Sequence, residues 1–174
     1  SAVMDSDGNF GAVVNIEMVK NPVLVAHRVM TASPHLMIAG KGAIQFARQQ
    51  GFLPYDPATP KTKRELTLAL KKLQTKSTPI WARRHLKHFW AKKNGSCDTV
   101  GVVVYDGKGK FGAAVSTGGT SYVLPGRIGD SPLVGCGIYV GKSGAVVATG
   151  VGEEIIKKML AREVYEQLKN GHSA

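Results

Sequence analysis

The order of apolar and polar residues predicts a chain of short strands and helices. A β-hairpin is expected at the start, because two apolar runs flank a polar turn that contains Asp and Gly. Asn21 and Pro22 then predict a helix start, with the Asn side chain as cap and Pro at the first helical position. In the first half of the chain these patterns place strands at 2–4, 10–16 and 34–39, and helices from 22 to 30 or 31 and from 42 to 50.

Two longer apolar runs follow in the second half of the chain. Residues 99–105 and 110–117 are rich in Val, Ala and Gly and flank a Gly-containing turn, so they predict two antiparallel strands, the first of them buried. A second hairpin is expected from residues 138–140 and 145–149. Apolar residues at every fourth position then predict one helix over 152–169. The inward stripe of this helix consists of Ile156, Leu160, Val164 and Leu168.

The region between these halves has a different composition. Prolines mark an irregular stretch from residue 52, after which residues 63–73 have the spacing of an amphipathic helix. Residues 61–93 contain eleven Lys and Arg but only one acid, Glu65, so they carry ten of the eleven net positive charges of the chain. Interleaved basic and aromatic residues can bind a nucleic-acid backbone and stack on its bases, which is one interpretation. We favour the other interpretation, a solvated basic linker over residues 52–98.

Length and composition indicate one globular domain. A chain of 174 residues with 43% apolar and 20% charged residues can bury a sizeable core. No apolar run approaches the roughly 20 residues that span a bilayer, so no membrane association is expected. Cys97 and Cys136 are too few for a disulfide framework and are interpreted as free thiols, which favours a cytoplasmic location.

Thr99 is the first candidate for chemistry, because it opens a strand directly after a polar, turn-like stretch. If the Asp98–Thr99 bond were cut, one residue would carry both a hydroxyl nucleophile and a free amine to serve as its base. The unperturbed α-amine has a pKa of about 8, so it can accept the hydroxyl proton near neutral pH. The ordinary alternative is a structural threonine at a strand start.

Further side chains could complete such a site. Thr117 ends the neighbouring strand, so its hydroxyl is expected to hold the amine or the hydroxyl of the nucleophile. Arg127 offers a planar fork for a carboxylate and Asp130 an acceptor for an ammonium group. Together they could hold both charged groups of an α-amino acid, and the alternative is a surface ion pair. Thr149 and the N–H of Gly150 precede a predicted helix, where they could stabilise an oxyanion.

The second half of the chain contains five short blocks of Gly, Thr and charged residues. They are Asp98-Thr-Val-Gly101, Ser116-Thr-Gly-Gly119, Pro125-Gly-Arg-Ile-Gly-Asp-Ser-Pro132, Gly135-Cys-Gly-Ile-Tyr139 and Ala148-Thr-Gly-Val-Gly-Glu153. In order and spacing these blocks closely resemble the plant-type (type 2) L-asparaginase and isoaspartyl aminopeptidase family. That family belongs to the N-terminal-nucleophile (Ntn) hydrolases and also includes glycosylasparaginase. Agreement of five separate blocks is specific, whereas a single glycine-rich match would be weak.

The resemblance implies a role for each candidate residue. The matched positions are the catalytic Thr99 and its neighbour Thr117, the substrate-binding Arg127 and Asp130, and the oxyanion pair Thr149 and Gly150, with Gly150 also at the substrate. The family hydrolyses L-asparagine and β-aspartyl (isoaspartyl) dipeptides through a covalent β-aspartyl-threonine intermediate, without a catalytic cofactor. It matures when the same threonine attacks the preceding carbonyl, here that of Asp98.

The resemblance also implies an α+β fold, the four-layer αββα sandwich of the Ntn hydrolases, of which this chain covers the central part. Residues 1–98 correspond to the C-terminal part of an α-subunit and residues 99–174 to the N-terminal part of a β-subunit. Family members typically assemble as dimers of αβ units. A structural sodium ion is implied for a loop outside this chain, and no metal site is expected within it.

Departures from the family pattern keep alternatives open. Asp98 stands where asparaginases more often have Gly, which favours glycosylasparaginase or the threonine aspartase branch. The block at 116–119 instead follows the asparaginases, and Asp130 is not the replacement expected of the threonine aspartases. Val151 replaces a common His, for which we have no interpretation. Outside the family, the alternatives are a nucleic-acid-binding module that uses residues 61–93 and a pseudoenzyme or structural fragment.

Overall fold

The computed structural model describes residues 1–74, 99–119 and 126–172, and the chain forms a mixed α+β fold within these ranges. The strands are β1 (Ala2–Asp5), β2 (Phe10–Val14), β3 (Met37–Ala39), β4 (Thr99–Tyr105), β5 (Phe111–Thr117), β6 (Ile138–Gly141) and β7 (Gly144–Val147). The helices are α1 (Pro22–Ala32), α2 (Gly40–Gln49), α3 (Pro60–Gln74), α4 (Gly152–Lys158) and α5 (Leu160–Lys169). The predicted α+β class is confirmed, and the four-layer sandwich stays a prediction.

Five strands form one sheet in the order β3-β2-β1-β5-β4. The pairs β1–β2, β1–β5 and β4–β5 are antiparallel, and β2–β3 is parallel. Strands β6 and β7 form a separate antiparallel hairpin. All three predicted hairpins are therefore present, although β2 and β7 end earlier than predicted, at Val14 and Val147.

Each face of the five-stranded sheet is covered by a different element. Helices α1 and α2 cover one face, where their small and β-branched residues allow close packing on the strands. This cluster contains Val3, Val13, Val19, Val25, Ala26, Val29, Ala43 and Ala47. The β6–β7 hairpin packs on the opposite face, through a cluster of Ala2, Phe10, Ala12, Ala113, Val115, Ile138 and Val140.

Helix α5 packs on the β6–β7 hairpin through Tyr165. The Tyr165 ring lies 4.7 Å from that of Tyr139, centroid to centroid, and its hydroxyl accepts the N–H of Ser143 over 3.3 Å. Tyr139 alternates with Ile138 and Val140, which face the five-stranded sheet, so the hairpin has apolar contacts on both faces.

Strand β4 lies at the edge of the sheet, which corrects the prediction of a buried strand. In the described part of the chain it pairs with β5 alone, and its residues from Val100 to Tyr105 are exposed. Val100, Val102 and Val104 are 68%, 51% and 58% exposed. An apolar run predicts that a strand forms, but the neighbouring strands and layers decide whether that strand is buried.

The predicted helix over 152–169 is interrupted, which is a second correction. Met159 has a left-handed backbone (φ 47°) and separates α4 from α5. The N–H groups of Ala161 and Arg162 donate to the carbonyl oxygens of Cys136 and Gly135 over 3.1 and 2.9 Å, so the preceding loop satisfies the start of α5. The break changes the inward face. The buried residues are Gly152, Ile155, Ala161 and Tyr165, whereas the predicted stripe is only half-buried.

Two further predictions concern the first half of the chain. Asn21 precedes α1 as predicted, but its side chain makes no capping hydrogen bond. Helix α3 confirms the helix predicted over 63–73, while residues 75–98, including Cys97 and most of the basic segment, lie outside the described residues. Among the helices in the described ranges, none combines the length and apolar character that crossing a membrane requires.

Candidate active site

Thr99 is the first residue of β4 and lies half-buried opposite Thr117, the last residue of β5. The register runs without a bulge from this pair to Tyr105 and Phe111, so it places both threonine side chains on the same face of the sheet. Thr99 Oγ1 donates a hydrogen bond to Thr117 Oγ1 over 3.0 Å. The predicted proximity of the two hydroxyls is confirmed, whereas their catalytic roles stay predictions.

The Thr117 hydroxyl is held by the turn that follows it. The N–H of Gly119 donates to Thr117 Oγ1 over 2.9 Å, so this oxygen accepts from two donors. Gly119 has φ +74°, a conformation that side chains disfavour, and its lack of a side chain lets the backbone fold back onto the hydroxyl. Ser116 faces the other way, where its Oγ lies 2.7 Å from Ser1 Oγ. The Ser-Thr-Gly-Gly block thus fixes the neighbour of Thr99.

Arg127 lies half-buried and forms an ion pair with Glu153. Its Nε and Nη2 donate to the same oxygen, Glu153 Oε1, over 3.0 and 2.8 Å. Glu153 is in the first turn of α4. Sequence reasoning missed this partner because 26 residues separate the two side chains. The available signal was that Glu153 ends the fifth of the motif blocks.

Asp130 is a buried residue, with 8% of its surface exposed, and it carries a carboxylate. Burial raises the pKa of the Asp130 carboxyl, the Arg127 guanidinium opposes this rise, and the charge of Glu153 adds to it. Among the residues that the structure describes, Asp130 Oδ2 has no hydrogen-bond partner. A buried carboxylate oxygen with unused acceptor capacity is suited to a cationic ligand group.

The backbone around Asp130 is rigidly held. Its carbonyl oxygen accepts the N–H groups of Leu133 and Gly137 over 2.9 and 3.1 Å. A side chain at Gly137 would collide with this carbonyl and with the Ser131 backbone, so the loop requires glycine there. The backbone that carries the Asp130 carboxylate is therefore held by hydrogen bonds that do not depend on a ligand.

Gly152, the first residue of α4, brings Arg127 and Asp130 together. A Cβ placed on Gly152 would lie 2.8 Å from Asp130 Oδ1 and 2.9 Å from Arg127 Nη2. These distances are shorter than van der Waals contact, so both charged groups occupy the space that a side chain would fill. The guanidinium and the carboxylate predicted to hold an amino acid therefore border the same point of the structure.

Thr149 and Gly150 follow β7 and are exposed. They were predicted at a strand end, but β7 ends two residues before Thr149. Gly150 has φ +153°, a conformation that favours glycine. Strand β7, which precedes these residues, packs closely on β4, because a Cβ on Gly101 would lie 2.7 Å from Val147 Cγ2. Gly101 and Val147 are each two residues away from the predicted catalytic positions.

The structure therefore brings four of the six predicted site residues into two groups, and Thr149 and Gly150 belong to neither. One is the threonine pair on β4 and β5, and the other is the set around Gly152. Within 1–74, 99–119 and 126–172, no hydrogen bond joins Thr99 to Arg127 or Asp130. Asp98, the predicted cleavage position, lies outside the described residues.

Comparison with known proteins identifies the family of this chain. A family model described as "Asparaginase" matches residues 1–174, the whole chain. Together with the five motif blocks and the threonine pair, this match shows that the chain belongs to the asparaginase family of Ntn hydrolases.

Relatives with three different names match nearly the whole chain. It is 35% identical over 174 residues to the N(4)-(β-N-acetylglucosaminyl)-L-asparaginase of Elizabethkingia miricola, covering 99% of this chain and 47% of that protein. It is 36% identical over 167 residues to the plant-type L-asparaginase of Pyrococcus furiosus, covering 94% and 53%. It is 38% identical over 177 residues to the isoaspartyl peptidase of Salmonella typhimurium, covering 95% and 53%. The chain thus spans about half the length of the curated relatives it matches.

Proposed function

We propose that the full-length protein is an amidohydrolase that splits its chain between Asp98 and Thr99 and then hydrolyses L-asparagine, β-aspartyl dipeptides or both. The observation that carries this proposal is the hydrogen bond between the Thr99 and Thr117 hydroxyls at the start of β4. Relatives named L-asparaginase and isoaspartyl peptidase support the reaction class. The proposed enzyme is a four-layer αββα sandwich that assembles as a dimer of αβ units and acts in the cytoplasm.

In the proposed maturation step, the Thr99 hydroxyl attacks the carbonyl carbon of Asp98. The peptide C–N bond breaks, an ester forms on Thr99 Oγ1, and the nitrogen becomes a free amine. Water then hydrolyses the ester, which releases the Asp98 carboxylate and leaves Thr99 as an N-terminal residue. Thr117 supports this step, because its hydroxyl orients the attacking oxygen.

In the proposed catalytic cycle, the Thr99 amine accepts the proton of the Thr99 hydroxyl, whose oxygen attacks the side-chain carbonyl of the substrate. Thr149 Oγ1 and the Gly150 N–H stabilise the oxyanion of the tetrahedral intermediate. When this intermediate collapses, the Thr99 ammonium returns its proton to the leaving nitrogen. The C–N bond breaks, ammonia or an amino acid departs, and a β-aspartyl ester remains on Thr99 beside its neutral amine. Water, deprotonated by the same amine, then cleaves the ester and releases L-aspartate.

Arg127 and Asp130 hold the substrate in this proposal. The guanidinium binds the α-carboxylate, and the buried Asp130 carboxylate binds the α-ammonium group. The unpartnered Asp130 Oδ2 supports the second contact, because a buried acceptor is most stable with a donor. No residue of this chain is assigned to the sodium ion that the family resemblance implies.

Glycosylasparaginase activity is the second candidate function. It is favoured by Asp98 before the nucleophile and by the 35% identity with the N(4)-(β-N-acetylglucosaminyl)-L-asparaginase, which covers 99% of this chain. Both candidates share the aspartyl half of the substrate and the same ester intermediate. They differ in the group that leaves, which is ammonia, an amino acid or an N-acetylglucosaminylamine.

One substrate panel tests the proposal and separates its candidates. The matured full-length protein is assayed with L-asparagine, β-aspartyl-leucine and N4-(β-N-acetylglucosaminyl)-L-asparagine, with release of L-aspartate as the common readout. We expect turnover of at least one of the first two substrates. Turnover of the glycosylated substrate alone would favour the second candidate, and absence of turnover with all three would contradict both.

A further inference from the structure

The contact between Glu153 and Arg127 uses only one edge of the guanidinium. Nε and Nη2 form that edge, and both donate to Glu153 Oε1. A guanidinium has a second edge, where Nη1 and Nη2 point two parallel N–H bonds at an acceptor. Glu153 therefore fixes the plane of the Arg127 head and leaves the second edge for another carboxylate.

Two glycines border the second edge of Arg127. A Cβ on Gly129 would lie 2.7 Å from Arg127 Nη1, and a Cβ on Gly152 would lie 2.9 Å from Nη2. The same Cβ position on Gly152 would lie 2.8 Å from Asp130 Oδ1. The second edge thus lies beside Asp130, whose carboxylate is an alternative anion for the guanidinium.

This arrangement creates a conflict that Glu153 can prevent. A site that binds an amino acid needs one cation and one anion close together, and these two groups attract each other strongly away from water. If Arg127 formed an ion pair with Asp130, the two charges would neutralise each other and neither side chain could hold a substrate group. In the structure Arg127 pairs with Glu153, and no ion pair joins it to Asp130 within the described ranges.

We propose that Glu153 is a positioning residue that holds Arg127 away from Asp130, so that both remain available for the α-carboxylate and the α-ammonium group of the substrate. This inference rests on the proposed function, because it assumes that an α-amino acid binds between Arg127 and Asp130. Glu153 acts through Arg127 and has no contact with the reacting amide.

The test uses the matured full-length protein and two variants of Glu153. Glu153→Gln keeps the shape and an acceptor oxygen but removes the charge, and Glu153→Ala removes both. We expect the dissociation constant of L-aspartate, measured by calorimetry, to rise about tenfold or more in Glu153→Ala and by a smaller factor in Glu153→Gln. The value of kcat at saturating L-asparagine should stay within a few-fold, because the chemical groups are unchanged.

Glu154→Gln is the matched control. Glu154 is the next residue in the first turn of α4, and its carboxylate pairs with Lys157 on the exposed side of the helix. This substitution removes the same charge from the same helix turn, and L-aspartate binding should stay within about twofold of the parent. Equal weakening by Glu154→Gln and Glu153→Gln would overturn the proposal, because it would indicate a general effect of charge.

Repeating the Glu153→Ala substitution in an Asp130→Asn variant separates a positioning role of Glu153 from a structural role. Succinamate, which carries the carboxylate of asparagine but lacks the α-amine, is the probe, because its binding does not need the ammonium contact of Asp130. Glu153→Ala should weaken succinamate binding in the parent but much less in Asp130→Asn, where Arg127 has no anion to pair with. A merely structural role would weaken binding equally in both backgrounds, and that result would overturn the proposal.

The outcomes distinguish this inference from the proposed function. If the parent neither binds L-aspartate nor hydrolyses any of the three substrates, the proposed function is wrong and the inference falls with it. If the parent binds and hydrolyses but folded Glu153→Gln and Glu153→Ala bind L-aspartate as the parent does, the inference alone is overturned. If Glu153→Ala does not fold, Glu153→Gln decides the question by itself.

Discussion

Gly152→Ala is a small change that should separate substrate binding from stability. The added methyl group would lie 2.8 Å from Asp130 Oδ1 and 2.9 Å from Arg127 Nη2. Distances below 3.0 Å require a shift of the neighbouring atoms, and these neighbours are the ends of two side chains. They can move without disturbing the backbone, but they would then leave the positions proposed to hold the substrate.

The two expected effects differ in size. Replacing a glycine in the middle of a helix with alanine stabilises the helix by about 0.5–1 kcal/mol. At the first residue of α4 the gain is at most this large, and it offsets part of the cost of displacing two charged groups. We therefore expect the free energy of unfolding to change by about 1 kcal/mol or less. Misplacing both substrate contacts should cost about 1.4–2.8 kcal/mol of binding, which corresponds to a tenfold to hundredfold weaker affinity for L-aspartate.

Calorimetry with L-aspartate and urea unfolding of the matured full-length protein measure the two effects. Gly42→Ala is the matched control, because Gly42 is in the first turn of α2 and its Cβ would meet only Ile38 Cγ2, at an ordinary 3.6 Å. The control should bind L-aspartate as the parent does. If Gly152→Ala also binds L-aspartate with unchanged affinity, Arg127 and Asp130 do not form the substrate site around Gly152.

Three further substitutions test individual contacts. Asp130→Asn should raise the free energy of unfolding at pH 7, because burial raises the pKa of this carboxyl and its ionised form destabilises the fold. This stabilisation should disappear below the ordinary carboxyl pKa of about 3.9, because Asp130 of the parent is then protonated in both the folded and the unfolded state. Urea titrations at pH 7 and at about pH 3.5 measure it. An equal stabilisation by Asp130→Asn at both pH values would contradict this prediction. Thr117→Val should lower kcat for L-asparagine about tenfold or more with little change in KM, because it removes the hydroxyl that accepts from Thr99 Oγ1. Unchanged steady-state kinetics would exclude a role of Thr117 in orienting the nucleophile. Arg127→Lys should weaken L-aspartate binding about tenfold to a hundredfold in calorimetry, because an ammonium group cannot hold a carboxylate with two parallel bonds; equal affinity would remove Arg127 from the site.

The elements near the threonine pair were predictable because their pattern is local. The apolar runs on both sides of a Gly-containing turn predicted the β4–β5 hairpin, and the hairpin then required Thr99 and Thr117 to be neighbours. The burial of β4 was not predictable in the same way. Its valines are compatible with a central or an edge strand, and only its pairing decides between these positions.

The features that the sequence did not reveal depend on contacts between distant segments. The i, i+4 spacing from Ile156 to Leu168 suits a continuous helix, and it does not show that the loop at Gly135 and Cys136 accepts the N–H groups of α5. The pairing of Arg127 with Glu153 likewise depends on how the loop after residue 126 meets the start of α4. Such contacts follow from the packed fold, which a single sequence pattern does not encode.

Self-cleavage before Thr99 is the central claim, and the intact mass of the full-length protein tests it most directly. The parent, purified and incubated without added protease, should give two fragments whose junction lies between Asp98 and Thr99. Thr99→Ser retains a hydroxyl and should also split, whereas Thr99→Ala should remain one chain under the same conditions. A parent that stays intact, or a Thr99→Ala variant that splits at the same bond, would contradict the account.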